Sequence, residues 1–268
     1  MITDDTLQRA ISALSRSDWH DRVGAAKALR QYPVPSAIDA LLAVCDDPDP
    51  WVVIAAVQTL GQFGAPASSA VPHLCEILVG VAARKSVDPD DDDLISALIT
   101  ALGNIGSSQA AATLLSLYYQ TPPSRVQATI RRTLPLFDTP TIQTWLAGEL
   151  ARLHALATDP AIDVRDHALQ LLDDLCQCES LPTFLAALHD ESYFVRERAM
   201  KAIDSLVMRY PQAVTPILIQ ALGQCLADTT AWYTGGPRIC DSAAMILKRM
   251  DAEQAHTILE LWQKKAPI

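Results

Sequence analysis

Six histidines and six cysteines are the residues here best suited to chemistry, and their spacing decides which chemistry they could do. The histidines, His20, His73, His154, His167, His189 and His256, are scattered along the 268 residues. None belongs to a His-Glu-x-x-His motif, and neither a Gly-x-Ser-x-Gly elbow nor a Gly-rich phosphate loop occurs. The nearest pair of sulfurs is Cys176-Gln-Cys178. Two residues apart on a helix they point nearly opposite ways, and no second Cys or Cys/His pair completes a tetrahedral set. Asp88, Asp90 and Asp92 imitate the first three ligands of a calcium loop, but the sixth position is Asp93 instead of Gly and the twelfth is Ile99 instead of Glu. Carboxylates beside the exposed amides of a helix start are the better account of that run. No catalytic constellation, metal site or cofactor is therefore expected, although acid–base pairs are assembled in space and not along the chain.

Charge narrows the partners. The formal charge is −10 and the pI about 4.9. Proteins that bind nucleic acid usually line one face with Lys and Arg to displace counterions from phosphate. The opposite balance here argues against nucleic acid and against an anionic membrane. Arg125, Arg131 and Arg132 do cluster, and they read as a solvated helix face. The acidic start Met-Ile-Thr-Asp-Asp lacks the apolar segment of a signal peptide. The longest apolar stretch, 71–83, is too short for a bilayer and carries His73 and Glu76. Cys45, Cys75, Cys176, Cys178, Cys225 and Cys240 fall mostly within helical apolar patterns, as expected of buried thiols in a reducing cytoplasm.

The elements that must position these residues show themselves by repetition. Segments 21–29, 52–60, 94–102, 126–134, 164–172, 195–203 and 239–247 each begin near a helix start and carry mostly apolar or small residues at their first, fifth and eighth places. Successive starts lie 31, 42, 32, 38, 31 and 44 residues apart. A short motif at this period marks a helical solenoid, in which each unit buries its face against its neighbours. Each unit reads as two helices. In the second unit, 35–45 carries Ile38, Leu41, Leu42 and Cys45 as a helical stripe; Asp-Asp-Pro-Asp-Pro then makes a turn and an acidic helix start. The following helix, 49–63, has Val52, Ala55, Ala56 and Leu60 inward, with Gly61 and Gly64 placed to end it. About fourteen helices and no strands are predicted.

The pattern Asp-x-Asp-Pro-x-Val-x-x-x-Ala-x-x-x-Leu resembles HEAT repeats, especially the short HEAT-like repeats of bacteria, and the resemblance covers essentially the whole chain. Its best matches run from Asp159-Pro160 through Val164-Arg165 to Ala168 and Leu172, and from Asp190 through Val195-Arg196 to Ala199 and Ile203. In that family an Asp of the turn and the Arg after the Val form a ladder between repeats. The resemblance implies rungs from Arg22 to Asp47 and from Arg165 to Asp190, and leaves Arg196 facing Thr234 without an acidic partner. Val53, Ile95, Gln127 and Cys240 stand where the Arg would be, so the ladder is interrupted there. Some HEAT-like iron hydroxylases carry repeated His-Glu pairs; the nearest likeness here, His189-Asp190-Glu191, occurs once.

Two long spacings place insertions at 85–93 and 228–238, each between the first and second helix of a repeat. Such loops either build a binding surface or are tolerated insertions. The second contains Trp232 and Tyr233 ahead of Gly-Gly-Pro, which serve as a loop anchor for a partner or, with Trp232 turned inward, as a plug on the last helices. The outward row of the second helices is expected one, two, five and six places after each theme start. In repeats two and three this row is Val53, Ile54, Val57, Gln58, Ile95, Ser96, Ile99 and Thr100, flanked by Trp51, with Val53, Ile54, Val57, Ile95 and Ile99 as its apolar members. That apolar run is either a groove for a partner segment or a surface covered by curvature or by the acidic loop. Arg131, Arg165 and Arg196 follow in the later repeats as polar contacts that tune orientation.

The expectation is thus an all-α, right-handed superhelix of about seven helical pairs, one domain over 1–268. Its expected role is a non-catalytic cytoplasmic scaffold that binds a protein or peptide along its concave helix row. The alternative, implied by the resemblance alone, is an accessory protein similar to the HEAT-like phycobilin lyases.

Overall fold

The computed structural model describes residues 4–84, 89–120, 124–231, 236 and 238–265. Among these the chain forms fifteen α-helices joined by turns and short 3-10 segments. The β pairing among the described residues is an isolated bridge between Ala231 and Arg238. The residues group into two compact units, Met1–Trp145 and Leu146–Ile268.

In the first unit the first helices of successive repeats are α1 (Asp4–Ala13), α3 (Pro35–Ala43), α5 (Val71–Ala82) and α7 (Ser108–Gln120). The second helices are α2 (Trp19–Ala28), α4 (Pro50–Phe63), α6 (Pro89–Ile105) and α8 (Arg125–Thr133). Each second helix packs on its own first helix, and the second helices also pack on one another in the order α2, α4, α6, α8. The result is two layers with an aliphatic interior between them, including Leu29, Leu41, Leu60, Leu78, Leu98 and Leu114, all fully buried.

Local chemistry sets the helix starts. Asp18 and Asp49 accept hydrogen bonds from the amides two residues on, and Ser124 from the amide three on, at the starts of α2, α4 and α8. Each such cap is worth about 1 kcal/mol. Gly64 ends α4 at φ +64, where a side chain would be strained. Gly61 is not a terminator. It lies inside α4, and a Cβ there would meet the Ala101 Cα at 2.7 Å, so its absence lets α4 and α6 approach backbone to backbone. Thr59, fully buried, ties α4 to α2 by donating to the Ala26 carbonyl at 3.0 Å.

The apolar run extends further than the sequence reading placed it. Ala65–Ala82 has the length and apolarity of a bilayer crossing, with mean hydropathy 1.2. It comprises a 3-10 segment, Ala65–Ala70, followed by α5, which packs on α6 and α7.

The second unit contains most of α9 (Pro140–Leu156), then α10 (Ile162–Leu175), α11 (Leu181–Ala187), α12 (Tyr193–Arg209), α13 (Pro216–Cys225), α14 (Ile239–Arg249) and α15 (Glu253–Lys265). Here α10, α12 and α14 form the second-helix layer, with α11 against α12 and α13 against α14. The extra helix α15 covers α13 and α14, and the Trp262 indole donates to the Leu226 carbonyl at 3.0 Å.

Candidate functional site

Among the described residues no group of three His, Cys, Asp or Glu is placed to hold a metal. All six cysteines are free. Burial raises the Cys45 thiol to about 12, with the Asp46 charge adding to it. Burial likewise raises the Cys225 thiol to about 11, beside Asp228. The thiolate, which is the nucleophile, is therefore suppressed at both. His154 Nε2 lies 3.2 Å from Ser180 Oγ, but Ser180 is fully buried at the start of α11, so the serine hydroxyl is closed to a substrate.

The polar geometry concentrates on the ladder. Arg22 donates from Nε and Nη2 to the Asp47 carboxylate at 2.7 and 2.8 Å, and from Nη1 to the carbonyls of Arg16 and Ser17. Arg165 repeats this with Asp190 at 2.7 and 2.9 Å and with the carbonyls of Asp159 and Pro160. Each carboxylate also accepts the amide two residues on, from Asp49 and from Ser192. Burial alone would raise the Asp47 and Asp190 carboxyls. The arginine hydrogen bonds, these amides and the guanidinium charges outweigh it and hold both below the usual range.

A third rung corrects the expectation for Arg196. Its Nε donates to Asp228 at 2.8 Å, its Nη2 to Thr230 Oγ1 at 2.7 Å, and its Nη1 to the carbonyls of Asp190 and Glu191. The insertion follows Asp228, so counting a fixed offset to Thr234 passed over the true partner. At the expected breaks, Gln127 reaches the Tyr118 carbonyl instead, at 3.2 Å.

This geometry removes the three arginines from the partner-binding row. Arg165 is 7 % exposed and Arg196 is committed to its rung. Arg131, at 5 %, places its guanidinium 5.7 Å from the Tyr118 ring centre and beside Gln127.

The apolar row is corrected as well. Val53, Ile54, Val57, Ile95 and Ile99 are all buried in the core. The reason is enclosure: α4 is flanked by α2 and α6 within its layer and rests on α3, so only a narrow strip stays open. That strip keeps Ile54, Gln58, Ser96 and Thr100 of the expected row and adds Trp51 and Gln62 of α4 and Asp93 and Asn104 of α6. These residues line a groove of about 410 Å³ along the two helices. Trp51, Gln58, Gln62, Thr100 and Asn104 are exposed, and Ile54 forms part of the floor. Gln58, Ser96 and Thr100 stand in the outward row that the repeat predicts, whereas Gln62, Asp93 and Asn104 lie outside it.

The loop anchor Trp232 and Tyr233, and Asp88 of the acidic insertion, lie outside the described residues. At the rim of the second insertion Arg238 pairs with Asp241 at 2.8 Å.

Two stretches of the chain, 7–85 and 150–234, match the family described as HEAT repeats. No curated protein matches the chain in sequence. Among solved structures, it is similar to the complex of CpcE and CpcF of phycocyanin lyase from Nostoc sp. PCC7120, at 21% identity over 82% of this chain and 81% of that one, with a TM-score of 0.45. It is also similar to human deoxyhypusine hydroxylase in complex with glycerol, at 17% identity, 98% and 91% coverage and a TM-score of 0.40. A designed armadillo repeat protein in complex with the peptide (KR)4 matches at 18% identity, 75% and 99% coverage and a TM-score of 0.42. The family match takes in more than half of the residues, and the layered helical pairs agree with it: the chain belongs to the HEAT-repeat family.

Proposed function

We propose that this chain is a polypeptide-binding scaffold and that the open strip of α4 and α6 is its binding face. The observation that carries the reading is the side-chain chemistry of the groove. Gln58, Gln62, Ser96, Thr100 and Asn104 line it, and amides and hydroxyls both donate and accept hydrogen bonds. An extended peptide backbone offers both kinds of group in alternation, so it matches such a surface without regard to most of its own side chains. Trp51, 45 % exposed at one end of the groove, supplies an aromatic anchor. The neighbouring helices of the same layer carry Lys27 and Arg132, both exposed, at the register of Gln58 and Thr100, which favours acidic flanks in the bound segment. The proposed setting is the cytoplasm, with a protein or peptide as partner.

Peptides selected from a random display library against the wild-type chain test this directly. Trp51→Ala, and Gln58→Ala with Asn104→Ala, should each weaken the selected peptides at least about tenfold, the worth of one or two hydrogen bonds or an aromatic anchor. Circular dichroism should remain unchanged, because these side chains face solvent. Undiminished binding by both variants would reject the strip. Titration with a bilin separates this role from a tetrapyrrole-handling one, since a peptide scaffold gives no saturable change in visible absorbance.

A further inference from the structure

We infer that the crevice at the loop edge between the second and third repeats is a receptor for an arginine side chain of a partner polypeptide. The inference is independent of the open strip and rests on the chain's own ladder. At Arg22, Arg165 and Arg196 the same arrangement recurs: Nη1 donates to the carbonyls six and five residues earlier, and Nε to a carboxylate of the next repeat. The equivalent position in the second repeat is Val53, which has nothing to donate. The carbonyls that an arginine there would meet belong to Asp47 and Pro48, and neither accepts a hydrogen bond among the described residues.

The space beside them is open. Asp47, Pro48, Val53, Val81, Asp91 and Leu94 are among the residues around a crevice of about 520 Å³. Val53, Val81 and Leu94 give apolar walls suited to the methylene stem of a long cationic side chain. The side chain of Asp91, 21 % exposed, belongs to a residue of the same crevice. In the second unit the corresponding crevice, whose lining includes Asp159, Pro160, Ala187 and Asp190, has the chain's own Arg165 in its wall. Among the described residues Arg84 is the cationic side chain in the lining of the first. It reaches Asp91 only at 3.7 Å with its side chain 63 % exposed, and it leaves both carbonyls unmet.

Two adjacent carbonyls and a carboxylate form a divergent set of acceptors. A planar guanidinium with five donors satisfies such a set, whereas a lysine ammonium presents three donors from one point. The chain's −10 charge, with Asp46 also at the rim, favours a cationic group from outside. A partner that inserts an arginine here would complete from another molecule the rung that Val53 interrupts.

The probe is the capped tripeptide Gly-Arg-Gly, compared with its citrulline and lysine counterparts, with the methyl resonances of Val81 and Leu94 followed by NMR. The arginine peptide should give saturable shifts. The neutral citrulline isostere and the lysine peptide should bind at least about tenfold more weakly, because each loses charge-assisted or forked hydrogen bonds. Val53→Arg should abolish the binding by occupying the crevice from within, and should raise the melting temperature by restoring the rung. If Val53→Arg does not fold, Asp91→Asn provides the same reading through a severalfold loss of affinity. Equal binding of the arginine and citrulline peptides, no saturable shift, or undiminished binding by the folded variants overturns the inference. The Gln58→Ala, Asn104→Ala protein should bind the tripeptide normally, so failure here and failure of the open strip are told apart.

Discussion

At Arg165 one guanidinium joins two turns of chain, and removing it orphans more than one group. Arg165→Ala would leave the Asp190 carboxylate, whose side chain is 13 % exposed, without its counter-charge and the carbonyls of Asp159 and Pro160 without their donor. A loss of about 2–4 kcal/mol is expected in urea unfolding, between the cost of one orphaned polar group and that of breaking a fully buried ion pair. Arg165→Lys should recover less than half of it, because an ammonium cannot make the bidentate contact. The same rungs set the response to acid. Asp47, Asp190 and Asp228 are each pushed up by burial, but hydrogen bonds and arginine charges outweigh this and hold them below the ordinary carboxylate range. Carboxyls lowered in the folded state stabilise it fully above their unfolded pKa of about 3.9 and lose that contribution as pH falls through the folded values. Melting temperature should therefore be flat from pH 7 to about 5 and fall steeply below about 4. The fall should be shallower in Arg165→Ala, and an equal slope in both proteins would refute the assignment.

Among the helices, small residues decide how closely neighbours approach. Gly61→Ala would place its Cβ 2.7 Å from a backbone atom of α6, an overlap that only movement of a helix relieves. It should cost about 1–3 kcal/mol, as overpacking does. Gly24→Ala in α2 is the control, since a Cβ there meets nothing within 4 Å; it should stabilise by about 0.5–1 kcal/mol through helix propensity alone. If both substitutions destabilise alike in chemical denaturation, the close packing of α4 on α6 is not what Gly61 provides. The alternation of helices was legible in the sequence because apolar residues recur with the helical period and Asp or Ser precedes the starts. Two rungs were legible because Asp and Arg keep a fixed separation. Arg196 with Asp228 was hidden by an insertion that shifts the count. Gly61 misled because the same residue serves at helix ends for its conformational freedom and inside helices for its size. The apolar members of the outward row were misplaced for a related reason. Val53, Val57, Ile95 and Ile99 are apolar because a second helix with neighbours on both sides buries most of its circumference, which a helix read in isolation cannot reveal.

Across the whole molecule, contacts run mainly between adjacent helices and each unit has its own buried core. Stability in such a chain is close to a sum of repeat and nearest-neighbour contributions, so damage should stay local. Arg22→Ala is expected to raise native-state hydrogen exchange in α1–α4 and leave α10–α14 unaffected, and Arg196→Ala should do the reverse. Equal loss of protection in both regions would show a single cooperative block instead. The buried sulfurs add a consequence of their own. Cys45 in one unit and Cys225 in the other hold their protons to about 12 and 11, so neither can react with a disulfide reagent until its surroundings part. The half-buried Cys176 and Cys178 should be labelled first. After that, the rates at which mass is added at Cys45 and Cys225 become two native stopwatches, timing the breathing of each half of the chain without any engineered probe.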